Sequence, residues 1–167
     1  MIKFSYLPKC KFEKYSNKLF TILDDNMSKI APIGNTREDD YTTWYKAVSE
    51  GFKKSNHHII LIIETDSDNV IGFFQYYTNA DTFVMEEIQI IPSYQGTNNI
   101  FRDLYGYVIS NLHLNVIFVE AYAHKFNHKS NGILNKLGLT VIGTNKAGNL
   151  FHYCGNYQDL LNWYSTK

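Results

Sequence analysis

Cysteine is nearly missing from this chain: 167 residues carry two, Cys10 and Cys154, far apart and without the spacing of a metal site. That leaves no disulfide framework, and a reducing cytoplasm is the expected compartment. Proline occurs three times, and Pro8, Pro32 and Pro92 all fall at breaks between patterned stretches. Net charge is also absent, at +0 with His neutral, so the chain lacks the basic balance of a nucleic-acid or membrane-surface binder. No apolar run approaches the roughly 20 residues of a membrane helix. Met1-Ile2-Lys3-Phe4 does not open an apolar leader. Internal repeats and low-complexity tracts are likewise missing. The six histidines, His57, His58, His113, His124, His128 and His152, show no ligand spacing, so no metal is expected.

What is present is apolar and aromatic. Hydrophobic residues make up 44% and aromatics 16%, enough for a substantial core in one domain spanning residues 1–167. Phe83 to Ile91 is rich in apolar and β-branched residues and stops at Pro92, which predicts a buried strand. After the polar turn Gln95-Gly96-Thr97-Asn98-Asn99, the residues Ile100, Phe101, Leu104, Tyr105, Val108 and Leu112 recur at helical spacing. Strand, turn and helix in that order place unpaired amides and the positive end of a helix dipole where a phosphate can bind.

Around this centre the pattern predicts a strand over Ile2 to Tyr6 and a helix over Lys11 to Lys29 with an apolar stripe from Phe12 to Met27. Asp39 or Asp40 is expected to cap a second helix. Its Tyr41, Trp44 and Tyr45 suit either core packing or the wall of an acceptor site. His57-His58 is expected in a solvated loop. Ile59 to Glu64, Val70 to Tyr77 and Thr82 to Ile91 read as a three-strand meander. Beyond the central helix come a strand over Val116 to Tyr122, a helix over Lys129 to Leu137, a strand pair over Leu139 to Gly143 and Leu150 to Cys154, and a terminal helix over Asp159 to Tyr164.

This order of elements, Val70-Ile71-Gly72-Phe73, the run Ile90-Ile91-Pro92-Ser93-Tyr94-Gln95-Gly96, and Asn127-x-x-Ser130-x-x-x-Leu134-Asn135-Lys136-Leu137-Gly138-Leu139 together resemble the GNAT N-acetyltransferase superfamily. Ser130 and Leu134 bring the motif nearest to the branch that acetylates ribosomal-protein N-termini. The resemblance implies an α/β (α+β) fold: a mixed, mostly antiparallel sheet, splayed at its fourth and fifth strands to admit acetyl-coenzyme A. It implies that the coenzyme's pyrophosphate sits on Gln95, Gly96, Thr97, Asn98, Asn99 and Ile100, that Asn127 bonds the pantetheine arm or caps its helix, and that the Ile90 amide polarises the acetyl carbonyl. The family's phosphate loop carries glycines where this chain has Asn98 and Ile100. Ile100 avoids crowding the phosphates if it turns into the core. A homodimer is the family's expectation.

Acetyl transfer to an amine needs a neutral nitrogen, which at pH 7 costs about 4.6 kcal/mol for a lysine-type amine and about 1.1 for an α-amine. Glu86 and Glu87 are the candidate bases, and strand alternation points them to opposite faces. Glu86 shares its face with Val84, Ile88 and Ile90, an apolar setting suited to proton transfer, and is the favoured base. Ser130 is the candidate donor to the leaving sulfur, since Leu134 cannot give a proton. The acceptor reads as a small-molecule amine or a protein N-terminus. A polyamine would call for an acidic pocket, for which Glu38-Asp39-Asp40 is the candidate. The competing reading is a non-catalytic module of the same fold that binds an acyl-coenzyme A or a protein partner.

Overall fold

A computed structural model describes residues 1–31, 35–97, 99–112 and 115–166. Seven strands, β1 (Ile2–Tyr6), β2 (His57–Glu64), β3 (Asn69–Asn79), β4 (Thr82–Ile90), β5 (Phe118–His124), β6 (Thr140–Thr144) and β7 (Leu150–Asn156), form one mixed, mostly antiparallel sheet in the order β1-β2-β3-β4-β5-β7-β6. The helices are α1 (Phe12–Met27), α2 (Arg37–Phe52), α3 (Ile100–Asn111), α4 (His128–Lys136) and α5 (Tyr157–Ser165). The chain divides into two compact units, one of Met1–Gln75 with Glu87–Asn98, the other of Tyr76–Glu86 with Asn99–Lys167.

In the first unit β1 pairs antiparallel with β2 from Ile2↔Glu64 to Tyr6↔Ile60. Ile59, Ile60, Leu61 and Ile62 are all buried, so β2 is covered on both faces. Phe12, Leu19 and Ile22 from α1 and Val48 and Phe52 from α2 close one core cluster with Ile59, Leu61, Val70 and Phe73. Of the expected stripe of α1, Phe12, Leu19 and Phe20 are buried and Tyr15, Leu23 and Met27 half-buried, while Ser16 and Ile22 are buried beside them. The partner helix starts earlier than expected, because Thr36 caps it: the Thr36 side chain accepts from the Asp39 amide at 3.2 Å. Glu38, Asp39 and Asp40 then lie in the first turn, where carboxylates complement the helix dipole.

His57 and His58 correct a second expectation. They open β2 half-buried. Lys9 lies over the Phe52 ring, 4.1 Å from its centroid, and its ammonium donates to the Lys54 carbonyl at 2.9 Å and to the His57 carbonyl. Burial first, then the positive charges of Lys54 and Lys9, hold His57 below the usual imidazole range. Burial, Lys9 and His57 do the same to His58.

The second unit is built on β5. Val119, Ala121 and Ala123 alternate inward, while Phe118, Glu120, Tyr122 and His124 face the other way. Antiparallel pairing with β7 sets Ala121 opposite the buried Tyr153 and Tyr122 opposite His152. The Tyr153 hydroxyl donates to Asn131 Oδ1 at 2.6 Å, and Asn131 Nδ2 donates to the His124 and Asn127 carbonyls, which ties α4 to the strands. Leu104, Tyr105 and Val108 bury the apolar stripe of α3, and the Tyr105 hydroxyl meets Met85 Sδ at 2.9 Å.

Candidate functional site

β4 and β5 run parallel, yet pair over four positions, Thr82↔Phe118 to Met85↔Ala121. The ladder stops there, although β4 continues to Ile90 and β5 to His124. This is the splay expected at the fourth and fifth strands. Glu86 is the first β4 residue beyond the last rung. It is exposed rather than set in the apolar surroundings expected for it, because strand separation removes the neighbours that alternation alone assumes. Glu87 is half-buried, and accepts from Gln89 Nε2 at 2.6 Å.

The residues that lead into the turn are held by a polar network absent from the sequence expectations. Gln89, 7% exposed, is one of the few buried polar side chains. Its Oε1 accepts from Asn26 Nδ2 of α1 at 2.9 Å, and the same Nδ2 lies 3.0 Å from the Ile90 carbonyl oxygen. That oxygen also accepts from Gln95 Nε2 at 2.7 Å. Gln95, expected on the phosphate, therefore spends its side chain fastening the turn to the end of β4. Gly72 of β3 lies against this segment, where an added Cβ would come 2.5 Å from the Gln89 carbonyl oxygen. The Gly in Val70-Ile71-Gly72-Phe73 thus permits a close backbone approach.

Gly96 has φ +73°, and a Cβ there would meet nothing within 4 Å. Thr97 is committed to the turn's shape: its hydroxyl donates to the Tyr94 carbonyl at 2.9 Å and its amide to the same oxygen at 3.4 Å. Asn98 lies outside the described residues. The left-handed geometry argued for it is seen at Asn99, the N-cap of α3, with φ 52°. The Asp103 amide bonds the Asn99 carbonyl at 3.0 Å, the first i→i−4 bond from the N-cap of α3, which makes residues 100–102 the first turn of the helix. Ile100 is 2% exposed, buried with Leu104 and Val108, so its branched side chain is turned away from solvent.

In the second unit Asn127 caps α4, its Oδ1 accepting from the Ser130 amide at 3.1 Å. Ser130 is half-buried one turn before the buried Leu134. Tyr41, Trp44 and Tyr45 are half-buried against α1: Tyr41 packs on Phe20, Trp44 on Phe12 and Phe20, and Tyr45 on Phe12, with ring centroids 5.3 to 6.0 Å apart. Tyr41 also shares a 3.0 Å hydrogen bond with Ser16. These are the contacts of helix packing. Among the described residues no group of His, Cys, Asp or Glu is arranged to hold a metal, and no helix is long and apolar enough to cross a membrane.

A cluster that sequence reasoning did not single out surrounds Glu86. Tyr77 of β3 has its phenol pKa raised, by burial first and then by the charges of Glu86, Glu120 and Tyr122. Tyr122 stacks on His152 with ring centroids 4.4 Å apart and planes 7° from parallel. His152 Nε2 lies 3.9 Å from Glu120 Oε1, too far for a hydrogen bond, and is buried with no hydrogen-bond partner among the described residues. The outward set of β5, alternating Phe118-Glu120-Tyr122, is the sequence signal that marks this face.

No family model and no curated relative matches the chain. Solved structures do. PaiA N-acetyltransferase from Thermoplasma acidophilum, in complex with coenzyme A, is similar with TM-score 0.73 at 16% identity, over 94% of this chain and 99% of that one. A ribosomal-protein-S5-alanine acetyltransferase from Vibrio fischeri gives TM-score 0.65 at 16% identity, over 95% of this chain and 94% of that one. A spermidine N-acetyltransferase from Vibrio cholerae, in complex with coenzyme A and spermine, gives 0.61 at 13% identity, over 96% and 98%. At such identities the likeness is one of fold: this chain has the GNAT fold.

Proposed function

We propose that this protein is an acetyl-coenzyme A-dependent N-acetyltransferase acting on a primary amine. The observation that carries the reading is the parallel β4–β5 ladder that ends immediately before Glu86, on a strand that runs through a left-handed turn into the start of α3. The residues fit the coenzyme. Gly96 leaves open space where a side chain would stand, Asn99 sets the turn, and Ile100 is turned inward. In this reading the turn from Gln95 to Ile100, Asn98 included, holds the pyrophosphate, with the first amides of α3 facing the negative charge. Asn127 caps α4 beside the pantetheine arm, and the Ile90 amide donates to the acetyl oxygen. When bound, acetyl-coenzyme A supplies an acyl group already activated as a thioester.

The chain's own residues supply the proton handling. Glu86 removes the proton that keeps the acceptor amine from attacking, and its exposure lets it pass that proton to water. Glu87, bonded to Gln89, is the alternative base and the less available one. The Ser130 hydroxyl donates a hydrogen bond toward the sulfur. Tyr41, Trp44 and Tyr45 are the aromatic residues this reading assigns to the acceptor.

Thiol release from acetyl-coenzyme A, followed across alkylamines, diamines and peptides with free N-termini, tests this. Release is expected with at least one acceptor, and Glu86→Gln is expected to lower kcat about a hundredfold, the scale of a lost general base. Coenzyme binding without release for any amine would instead support the non-catalytic module.

A further inference from the structure

Arg102 is the one Lys or Arg between Lys54 and Lys125, in a stretch whose acids run from Glu64 to Glu120. It falls in the first turn of α3, the helix start that the coenzyme reading sets against phosphate. A helix start offers the equivalent of roughly half a positive charge, whereas a phosphate monoester carries about −1.5 to −2 at pH 7. Backbone amides leave most of that charge unanswered, and Arg102 is the full cation on the same turn.

The carboxy-terminal helix holds this side chain. Arg102 Nη2 donates to the Tyr164 carbonyl in the last turn of α5. Carbonyls at that end of a helix lack partners within it and form the negative end of its dipole, which suits a guanidinium. Arg102 Cζ also lies 5.8 Å from the centroid of the Trp163 ring and 5.3 Å from that of Tyr164, both within cation–π range. Trp163 is fixed in turn, edge-on to the Phe101 and Tyr105 rings of α3 at 5.9 and 5.7 Å between centroids.

Gly106 shows how closely the two helices meet. It follows Arg102 by four residues and shares its side of α3, and a Cβ there would collide with Tyr164 Oη. Glycine is a poor residue for a helix interior. Here it leaves room for Tyr164, whose carbonyl meets Arg102 and whose hydroxyl lies at Gly106. All of these groups belong to the second unit.

A guanidinium presents five N–H donors in a planar fork that matches phosphate. Among the described residues, the Tyr164 carbonyl is its hydrogen-bond partner, and Arg102 is half-buried rather than enclosed. One bond and two rings thus fix the group while leaving donors to offer. We propose that Arg102, held by Trp163 and Tyr164, binds a phosphate of coenzyme A, which makes the last turn of α5 a positioning element of the coenzyme site. This rests on the acetyl-transfer reading above and adds to it a residue outside the turn from Gln95 to Ile100.

Calorimetric titration of full-length protein with coenzyme A and with 3′-dephospho-coenzyme A, each at low and high salt, tests this. Arg102→Gln should weaken coenzyme A binding about tenfold, the scale of one charge-assisted contact, and flatten its salt dependence. Arg102→Lys, which keeps the charge without the fork, should fall between the two. Equal losses for both ligands assign Arg102 to the diphosphate, and a loss confined to coenzyme A assigns it to the 3′-phosphate. Either upholds the inference. Tyr164→Leu should weaken binding about threefold in the wild-type background and add nothing in the Arg102→Gln background, because it acts through that side chain. Wild-type affinity in Tyr164→Leu would remove α5 from the site. Coenzyme A bound equally by wild type and Arg102→Gln, or a loss that is the same at both salt concentrations, would overturn the inference and leave the coenzyme reading standing. No binding of coenzyme A by the wild type would reject both.

Discussion

Gln89 joins helix, strand and candidate base through one side chain. Its carbonyl oxygen takes the Asn26 amide and its amide group binds Glu87, all at a position 7% exposed. Removing it takes one hydrogen-bond partner from Asn26 and one from Glu87, both of them half-buried. Gln89→Leu should therefore destabilise the fold by about 1–3 kcal/mol, read as a lower urea midpoint at unchanged slope. A midpoint equal to wild type would mean that water or a neighbouring group takes over both bonds. The same network fixes the Ile90 carbonyl between Asn26 and Gln95, so the chain enters the turn from a fixed end.

At the scale of elements, the strongest patterns were legible before any coordinates. Phe12, Leu19 and Phe20 of the expected helical stripe are buried, and a strand, β5, is present where one is expected over Val116 to Tyr122. The turn into α3 was placed correctly, because Pro92 ends the strand and the stripe from Ile100 begins the helix. Helix and strand starts were less legible. Thr36 and the acidic residues after it are all acceptable caps, and Thr36 wins because its side chain reaches the Asp39 amide while the acids remain free to face the dipole. His57 and His58 look polar enough for a loop, but they lie in β2, where Lys9 from another segment donates to the His57 carbonyl. Long-range events of that kind leave no local trace. The same holds for the candidate site: Gln95 and Asn127 could be named from a motif, whereas Glu120, Tyr122 and His152 come together through the β5–β7 register.

Across the molecule, the half-buried imidazoles of His57 and His58 set a pH dependence of stability. Their folded pKa values lie below the unfolded value of about 6.5, so the unfolded chain binds protons first as pH falls. The stability they contribute is complete above that value and is lost as pH drops through it toward their folded pKa values. The urea midpoint should hold between pH 8 and 7 and fall by pH 5.5, and a His57→Asn/His58→Asn double variant should flatten that fall. A wild-type midpoint that does not change over the same interval would remove the assignment. The coenzyme reading is tested most directly by hydrogen exchange over residues 95–104, the turn and first helical turn after β4, with and without saturating acetyl-coenzyme A. The account predicts slowed exchange concentrated in that segment, whichever amine proves to be the acceptor. Exchange there that is identical with and without the coenzyme would contradict it.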